Sequence, residues 1–383
     1  MENRPDHYDE GIEAVDVIES HGLNFNLGNV IKYVLRAGKK ESQSKVSDLS
    51  KAIWYAGREM TNYKADRFEL YPSARVIAVD GKMLPEINLP PAPQFTGTSG
   101  EQLIEYAGRV CYDSFGKENS RPTAAYLDHI VESRHTSVLG HAVLYFTATE
   151  YELKKFVWLF RSEPGWYLDH ANVLTINLRL FERRKPYFYE YYPEVWNAFH
   201  EAFPLVVTYR CQKVMVPRLF PYNERGRHRW ISFHLSCSRS CSHEWVRHSY
   251  QSAISQRSTR YVDEGDFSIV HHPLMRYFPA LFHKFNRDAT FLSYQSKQLY
   301  NGIVKKAEKE MIKAGFEKHV ARKAARGAAA RFLPHGLKTE IVYSASIYEW
   351  EEIFKQRISA HADGEIKELA TMCEEQIGYV LDR

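Results

Sequence analysis

Between Glu101 and Phe160 the hydrophobic period of the chain changes twice, and no other feature restricts the fold as much. "EQLIEYAGRVCYDS" and "TAAYLDHIVESRH" repeat apolar residues at helical spacing, "HAVLYFTAT" alternates as a strand does, and "EYELKKFVWLF" returns to the helical spacing. A helix presents an apolar stripe and a strand an apolar face, and each has to be covered by another element. Helices and strands mixed in this way predict an α+β core. A second strand-like run, "WISFHLSC", follows a long interruption at about 161–230 that contains "YFYEYYPEVWNAF" and ends in "NERGRHR". Enough apolar material is present to fill such a core, because 44% of the 383 residues are hydrophobic and 14% aromatic.

Ahead of the core, "GIEAVDVIES", "LGNVIKYVLRAGKK" and "VSDLSKAIWYAGREMTNY" predict three short amphipathic helices, a small all-α domain over residues 1–66. "SARVIAVDGK" reads as the first strand of a second domain, 67–383, and the proline-rich "MLPEINLPPAPQFTGTSG" as an exposed loop.

Charge and cysteine usage narrow the class further. A formal charge of +4 on this length is too small to mark a nucleic-acid coat. Residues 305–331 carry nine Lys or Arg against three Glu, but the acids are interleaved at i+3 and i+4 distances, the pattern of a solvated helix face rather than of a nucleic-acid surface. The five cysteines include one close pair, Cys237 and Cys241, and predict reduced thiols in a cytoplasmic protein. No apolar stretch approaches the ~20 residues of a membrane helix, and the start "MENRPDHYDEGIEAVD" has no export signal, so no membrane partner is expected. Walker loops, dinucleotide fingerprints, paired zinc motifs and nucleophile elbows are missing, and no metal is expected.

Two stretches carry candidate chemistry. In "SIYEWEEIFKQRISAHADGEIKEL", Ile347, Trp350, Phe354, Arg357 and His361 share one helical stripe, which puts an arginine on an apolar line. A guanidinium keeps its charge at any cellular pH and needs an anionic partner when buried. An internal ion pair with a Glu is the ordinary partner, a bound anion the other, and His361 alone reads as a hydrogen-bonded core residue. In "WVRHSYQSAISQRSTRY", the side chains of Arg247, His248, Ser249, Ser258, Thr259, Arg260 and Tyr261 offer donors suited to phosphate and to the edge of a planar base. Trp245, Val246 and Ile254 are expected to anchor them at a cleft; the ordinary alternative is a cationic surface helix followed by a polar turn.

Three pieces in order, "AGRVCYDS" with "HTSVLGHA", then "SRSCSHEWVRHSYQSAISQRSTRYV", then "RFLPHGLKTEIVYSASIYEWEEIFKQRISAHADGEI", resemble the flavin-dependent thymidylate synthases of the ThyX type. Residues 1–66 are similar to a small phage-borne domain of unknown function. The resemblance implies a core of mixed helices and antiparallel sheet and a homotetramer with shared active sites, in the host cytoplasm if phage-encoded. It also implies FAD as cofactor, methylenetetrahydrofolate and NADPH as co-substrates, and methyl transfer to C5 of dUMP without a cysteine nucleophile. By residue, it places Glu244 and Arg247 at the nucleotide phosphate, Gln256, Ser258 and Arg260 in a second nucleotide-binding run, and Arg331 at the nucleotide. Arg357 falls on the catalytic arginine that polarises the pyrimidine, a task for a permanent charge in a dry site. His135 and Ser137 match the flavin-side turn, and Arg247, His248, Ser249 and Glu352 also fall on the cofactor side.

The cofactor side departs more from the family pattern than the nucleotide side. Ser249 stands where the family has an arginine that contacts flavin, and Ser258 comes one residue late. Ser346, Tyr348 and Glu352 replace Asn, Arg and Asn or His, and Arg331 is one position nearer Pro334 than usual. Three readings follow. Flavin binding is altered, with contacts from the interruption, where "TINLR" (Thr175 to Arg179) repeats the missing Thr-x-Asn-x-Arg order in a match short enough to arise by chance. In that reading the aromatic run from Tyr187 to Phe199 offers a stacking surface or, more ordinarily, subunit packing. Otherwise the chain is a folate-dependent hydroxymethylase of dUMP or dCMP, or an inactive nucleotide- or nucleic-acid-binding paralogue.

Overall fold

The computed structural model describes residues 13–40, 43–62, 71–89, 95–116, 121–223, 229–249 and 252–381. The chain forms two compact units, one of residues 1–69, 265–268 and 274–334, the other of residues 70–264, 269–273 and 335–383. The segment in which the sequence places the boundary between its two domains, near residue 66, lies outside the described residues.

The first unit is helical. It holds the three expected N-terminal helices, Ala14–Ser20, Phe25–Arg36 and Lys45–Asn62, with the helices Pro279–Lys313 and Lys318–Ala329. Asn24 caps the second helix by accepting from the backbone N–H groups of Asn26 and Leu27. The side-chain amides of Asn24 and Asn26 both donate to Glu59, at 2.6 and 2.8 Å, which ties the second helix to the third. Arg36 meets the buried Asp48 at 2.5 Å, and that hydrogen bond holds the Asp48 carboxyl below its usual range. A Cβ at Gly57 would stand 2.7 Å from the ring of Phe291, so the third helix can seat on the long helix only with glycine there. In the basic stretch, Arg322 pairs with Glu308 at 3.4 Å and Lys313 with Glu310 at 3.0 Å, so part of its charge is met internally.

Two antiparallel sheets build the second unit, as the expected α+β class requires. Its strands are β1 (Ser73–Val79), β2 (Lys82–Met83), β3 (Val143–Thr147), β4 (Trp166–Leu168), β5 (Leu174–Asn177), β6 (Phe220–Pro221), β7 (Trp230–Ser238), β8 (Ser252–Gln256) and β9 (Lys338–Ser346). The larger sheet has the order β2-β1-β7-β9-β8 and the smaller one β4-β5-β3-β6. Helices Ile347–Arg357 and Gly364–Leu381 bury one face of the larger sheet in a core that includes Phe233, Trp245, Tyr343 and Trp350. Helix Ser99–Tyr112 fills a second core with Leu103, Ala107 and Val110 against Ile77 and Val342.

The interruption is built into the fold. It contributes β4, β5 and β6 beside β3, and helices Leu178–Arg183, Lys185–Tyr191 and Pro193–Ala202. Phe188, Tyr192, Trp196 and Phe199 are buried together with Phe146, Phe156 and Phe181. These four rings of the aromatic run fill the apolar centre of their own layer instead of offering a stacking surface, while Tyr191 stays exposed. All five cysteines are free, and no helix of the described residues is long and apolar enough to cross a membrane.

Candidate active site

The two candidate stretches meet because of how their helices leave the sheet. β7 ends at Ser238, whose hydroxyl accepts from the Cys241 N–H at 3.0 Å and so caps helix Arg239–Trp245. The Glu365 carboxylate accepts from both the N–H and the hydroxyl of Ser238, each at 2.6 Å, and fixes that cap. Glu244 lies on the short helix, with Arg247 and His248 just past its end. On the neighbouring strand, β9 ends at Ser346, opposite Trp230, and Ser346 caps helix Ile347–Arg357 by accepting from the Glu349 N–H. The helix then runs back over the sheet, held by Trp350, which is fully buried and donates from Nε1 to the Ile231 carbonyl at 3.1 Å.

Its last residue, Arg357, therefore reaches the residues beyond β7. Arg357 Nε donates to His248 Nε2 at 2.8 Å, and Nη1 meets Glu244 Oε2 at 2.5 Å. The Glu partner expected of a buried arginine is thus present, joined by an imidazole. His248 can accept at Nε2 only when neutral, and burial, then the Arg357 charge, push its pKa below the usual imidazole value. The Tyr343 and Ser252 hydroxyls both donate to the His248 carbonyl and fix its backbone. Among the described residues Arg357 Nη2 has no partner.

Two expectations are corrected here. The helix ends at Arg357 with Ile358 as its cap, so His361 falls in the following turn, exposed and off the apolar stripe. Val246 is 38% exposed and does not anchor the segment; Trp245 is buried, and the serine-rich part that follows is the edge strand β8, not a surface helix.

The second run closes on the first. Gln256 Nε2 donates to the Ser242 hydroxyl at 2.8 Å, the Ser258 N–H donates to the Cys111 carbonyl at 3.0 Å, and the Ser258 hydroxyl accepts from the Arg260 N–H at 3.4 Å. Arg257 lies between Asp113 and the buried Glu264, 3.4 Å from each, and burial pushes the Glu264 carboxyl up to about 7. His135 bonds the Tyr112 hydroxyl at 3.0 Å, and the Tyr112 ring meets Tyr261 edge to face. "AGRVCYDS", the "HTS" turn and "STRY" thus converge in one neighbourhood. Arg247 and Arg260 are exposed, and their guanidinium groups have no partner among the described residues. Glu352 is exposed and pairs with Lys355 at 2.5 Å, while Arg331 belongs to the first unit, on the exposed turn Ala330–Phe332.

A cavity of about 110 Å³ opens beside these groups, lined by Ser137, Ser249, Ser252 and Trp230 and also by Thr175, Asn177 and Arg179 of the interruption. Buried in its wall, Arg179 Nε and Trp230 Nε1 have no hydrogen-bond partner. Orphaned donors beside serine hydroxyls fit a bound group that brings acceptors, such as one arm of a nucleotide cofactor; the volume holds a part of FAD and not the whole. Tyr167 of β4, which also lines the cavity, packs against Tyr348, ring centroids 6.0 Å apart, so the interruption covers one of the positions that depart from the family pattern. Thr175, Asn177 and Arg179 had only the short "TINLR" match to announce them.

A family model described as "Thymidylate synthase complementing protein" matches residues 95–152 and 226–381, more than half of the chain. The chain belongs to this family. Between the two matched blocks lies the segment that carries β4, β5 and β6. A second model, for a protein family of unknown function, matches residues 2–57. The flavin-dependent thymidylate synthase of Mycolicibacterium gilvum is 26% identical over 292 residues, 75% of this chain and 80% of the relative. That of Corynebacterium efficiens is 28% identical over 279 residues, 72% and 75% of the two chains. The crystal structure of Helicobacter pylori ThyX with FAD and dUMP aligns at 18% identity with a TM-score of 0.27, covering 39% of this chain and 67% of that one; a likeness this weak does not bear on the site.

Proposed function

We propose that this chain is a flavin-dependent thymidylate synthase that transfers the methylene carbon of methylenetetrahydrofolate to C5 of dUMP, with NADPH as reductant. The observation that carries the reading is Arg357, held by Glu244 and His248 beside donors that suit a nucleotide phosphate, in a chain whose relatives bear that name. The phosphate dianion is met by Arg247 and Arg260, which are exposed and unpaired, with Gln256 and Ser258 fixing the turn between them. Arg331 is proposed as a nucleotide residue on the family pattern alone. The ring lies against Arg357, whose free Nη2 donates to a pyrimidine carbonyl and stabilises the negative charge that builds as C5 becomes nucleophilic. Because Glu244 and His248 already fix the guanidinium plane, this donor is oriented before substrate arrives.

Covalent activation by a thiol has little support. Burial raises the thiols of Cys111, to about 11, and of Cys373, while Cys241 is raised chiefly by its hydrogen bond to Cys237, so all three stay protonated at neutral pH. Bound FAD supplies the redox chemistry that these side chains lack. His135, Ser137, His248 and Ser249 are assigned to its side of the site; Glu352, already paired with Lys355 in solvent, enters only if that pair opens. The reading includes a homotetramer with shared sites, in which a neighbouring subunit meets the exposed Arg247 and Arg260, and an appended domain at residues 1–66. It places the enzyme in the cytoplasm, that of the host if the gene is carried by a phage.

Colour tests the cofactor part. The purified protein is expected to show flavin absorbance, or to acquire it on adding FAD, and dUMP is expected to perturb the bands. Protein that stays colourless with added FAD would favour the hydroxymethylase or the inactive paralogue.

A further inference from the structure

Arg179 stands apart from the paired arginines of the second unit. Arg183, one turn away, pairs with Glu163 at 3.1 Å, and Arg184 pairs with the same carboxylate. Arg109 pairs with Glu105 at 2.6 Å and Arg229 with Asp80 at 3.0 Å. Among the described residues Arg179 has neither a carboxylate nor a carbonyl partner, although it is half-buried and its Nε is shut off from solvent. A partly desolvated guanidinium without a counter-charge is costly, and its neighbour Arg183 adds repulsion. An anionic ligand in the cavity would offset this.

The surroundings narrow the ligand. Asn177 spends its side-chain oxygen on the Leu180 N–H at 2.9 Å, which leaves its amide hydrogens free beside the cavity. Thr175 is buried on β5 next to it, and Ser137, Ser249 and Ser252 add hydroxyls from two other segments. Among the described residues no acidic side chain lines the cavity. Gly165, at φ +110°, keeps its rim open: a Cβ there would stand 2.5 Å from Asn177 Oδ1. A wall of hydroxyls, one amide and one guanidinium, without a carboxylate, is chemistry for phosphate oxygens.

We propose that Thr175, Asn177 and Arg179 of the inserted segment, together with Ser137 and Ser249, bind the phosphate-bearing arm of the flavin cofactor. This rests on the proposed flavin dependence and assigns the inserted layer a part in cofactor binding. Ser249 and Arg179 face the same cavity, so the charge lacking at position 249 is supplied from the other wall.

The test is flavin binding, read by fluorescence quenching, for the wild type and Arg179→Met with FAD and with riboflavin, which has no phosphate. A charge-assisted contact predicts FAD binding about 10- to 100-fold weaker in Arg179→Met with riboflavin binding unchanged. Ser249→Arg, placed on Arg179→Met, is expected to restore much of the loss. Unchanged melting temperature and dUMP affinity separate a lost contact from a damaged fold, and Thr175→Val provides a milder second variant. FAD affinity unchanged in Arg179→Met would overturn the proposal and leave the flavin reading standing, as would equal weakening toward riboflavin. A wild type that binds dUMP but no FAD would bring down both.

Discussion

Replacing Arg357 with alanine is expected to lower kcat/KM for dUMP about 100- to 1000-fold, the usual effect of removing a donor aimed at developing charge. Arg357→Lys is expected to recover little of it. One ammonium cannot span the 2.8 Å contact to His248 and the 2.5 Å contact to Glu244 and still present a further donor to the ring. Both variants should fold, since Arg357 is the last residue of a helix whose core contacts lie in earlier turns. Steady-state kinetics with dUMP, alongside a thermal melt, separate the two effects. Full turnover in Arg357→Ala would show that the arginine is only the ion-pair partner of Glu244.

Trp350→Ala is expected to carry the largest stability loss of any single truncation in the second unit, about 3–5 kcal/mol. The indole is fully buried and packs against Phe233, Trp245, Tyr343 and Phe354, with ring centroids 5.0 to 6.1 Å away. Alanine leaves a cavity among four aromatic rings and removes the indole's hydrogen bond to the Ile231 carbonyl. The same side chain seats the helix that ends in Arg357, so dUMP affinity should fall with stability even though Trp350 touches no ligand. Urea unfolding followed by tryptophan-independent circular dichroism measures the loss; a change below about 1 kcal/mol would mean the site can collapse around the gap.

Arg357 was legible in the sequence because a helix repeats: an arginine three residues after Phe354 and seven after Trp350 falls on the apolar line whatever the rest of the chain does. His361 continues that arithmetic, yet the helix stops at Arg357, and periodicity carries no information past a helix end. β8 escaped notice for a related reason. In "SAISQ" the two apolar residues, Ala253 and Ile254, are adjacent and show no period of two, and pairing with β9 rather than its own pattern makes it a strand. The convergence of "HTS", "AGRVCYDS" and "STRY" depends on contacts between distant segments, such as Ser258 with Cys111, which no local spacing encodes. In the interruption, the aromatic run read as a stacking or subunit surface, whereas four of its rings pack inside the chain against Phe146 and Phe156, outside the run itself.

The central claim is that these residues serve methyl transfer to a pyrimidine nucleotide, and product analysis tests it most directly. Purified protein is incubated with dUMP, methylenetetrahydrofolate, NADPH and FAD, and the nucleotides are resolved by mass spectrometry. The account predicts dTMP, formed by the wild type and nearly lost in Arg357→Ala. Hydroxymethyl-dUMP, or unchanged dUMP from protein that binds both nucleotide and flavin, would contradict it.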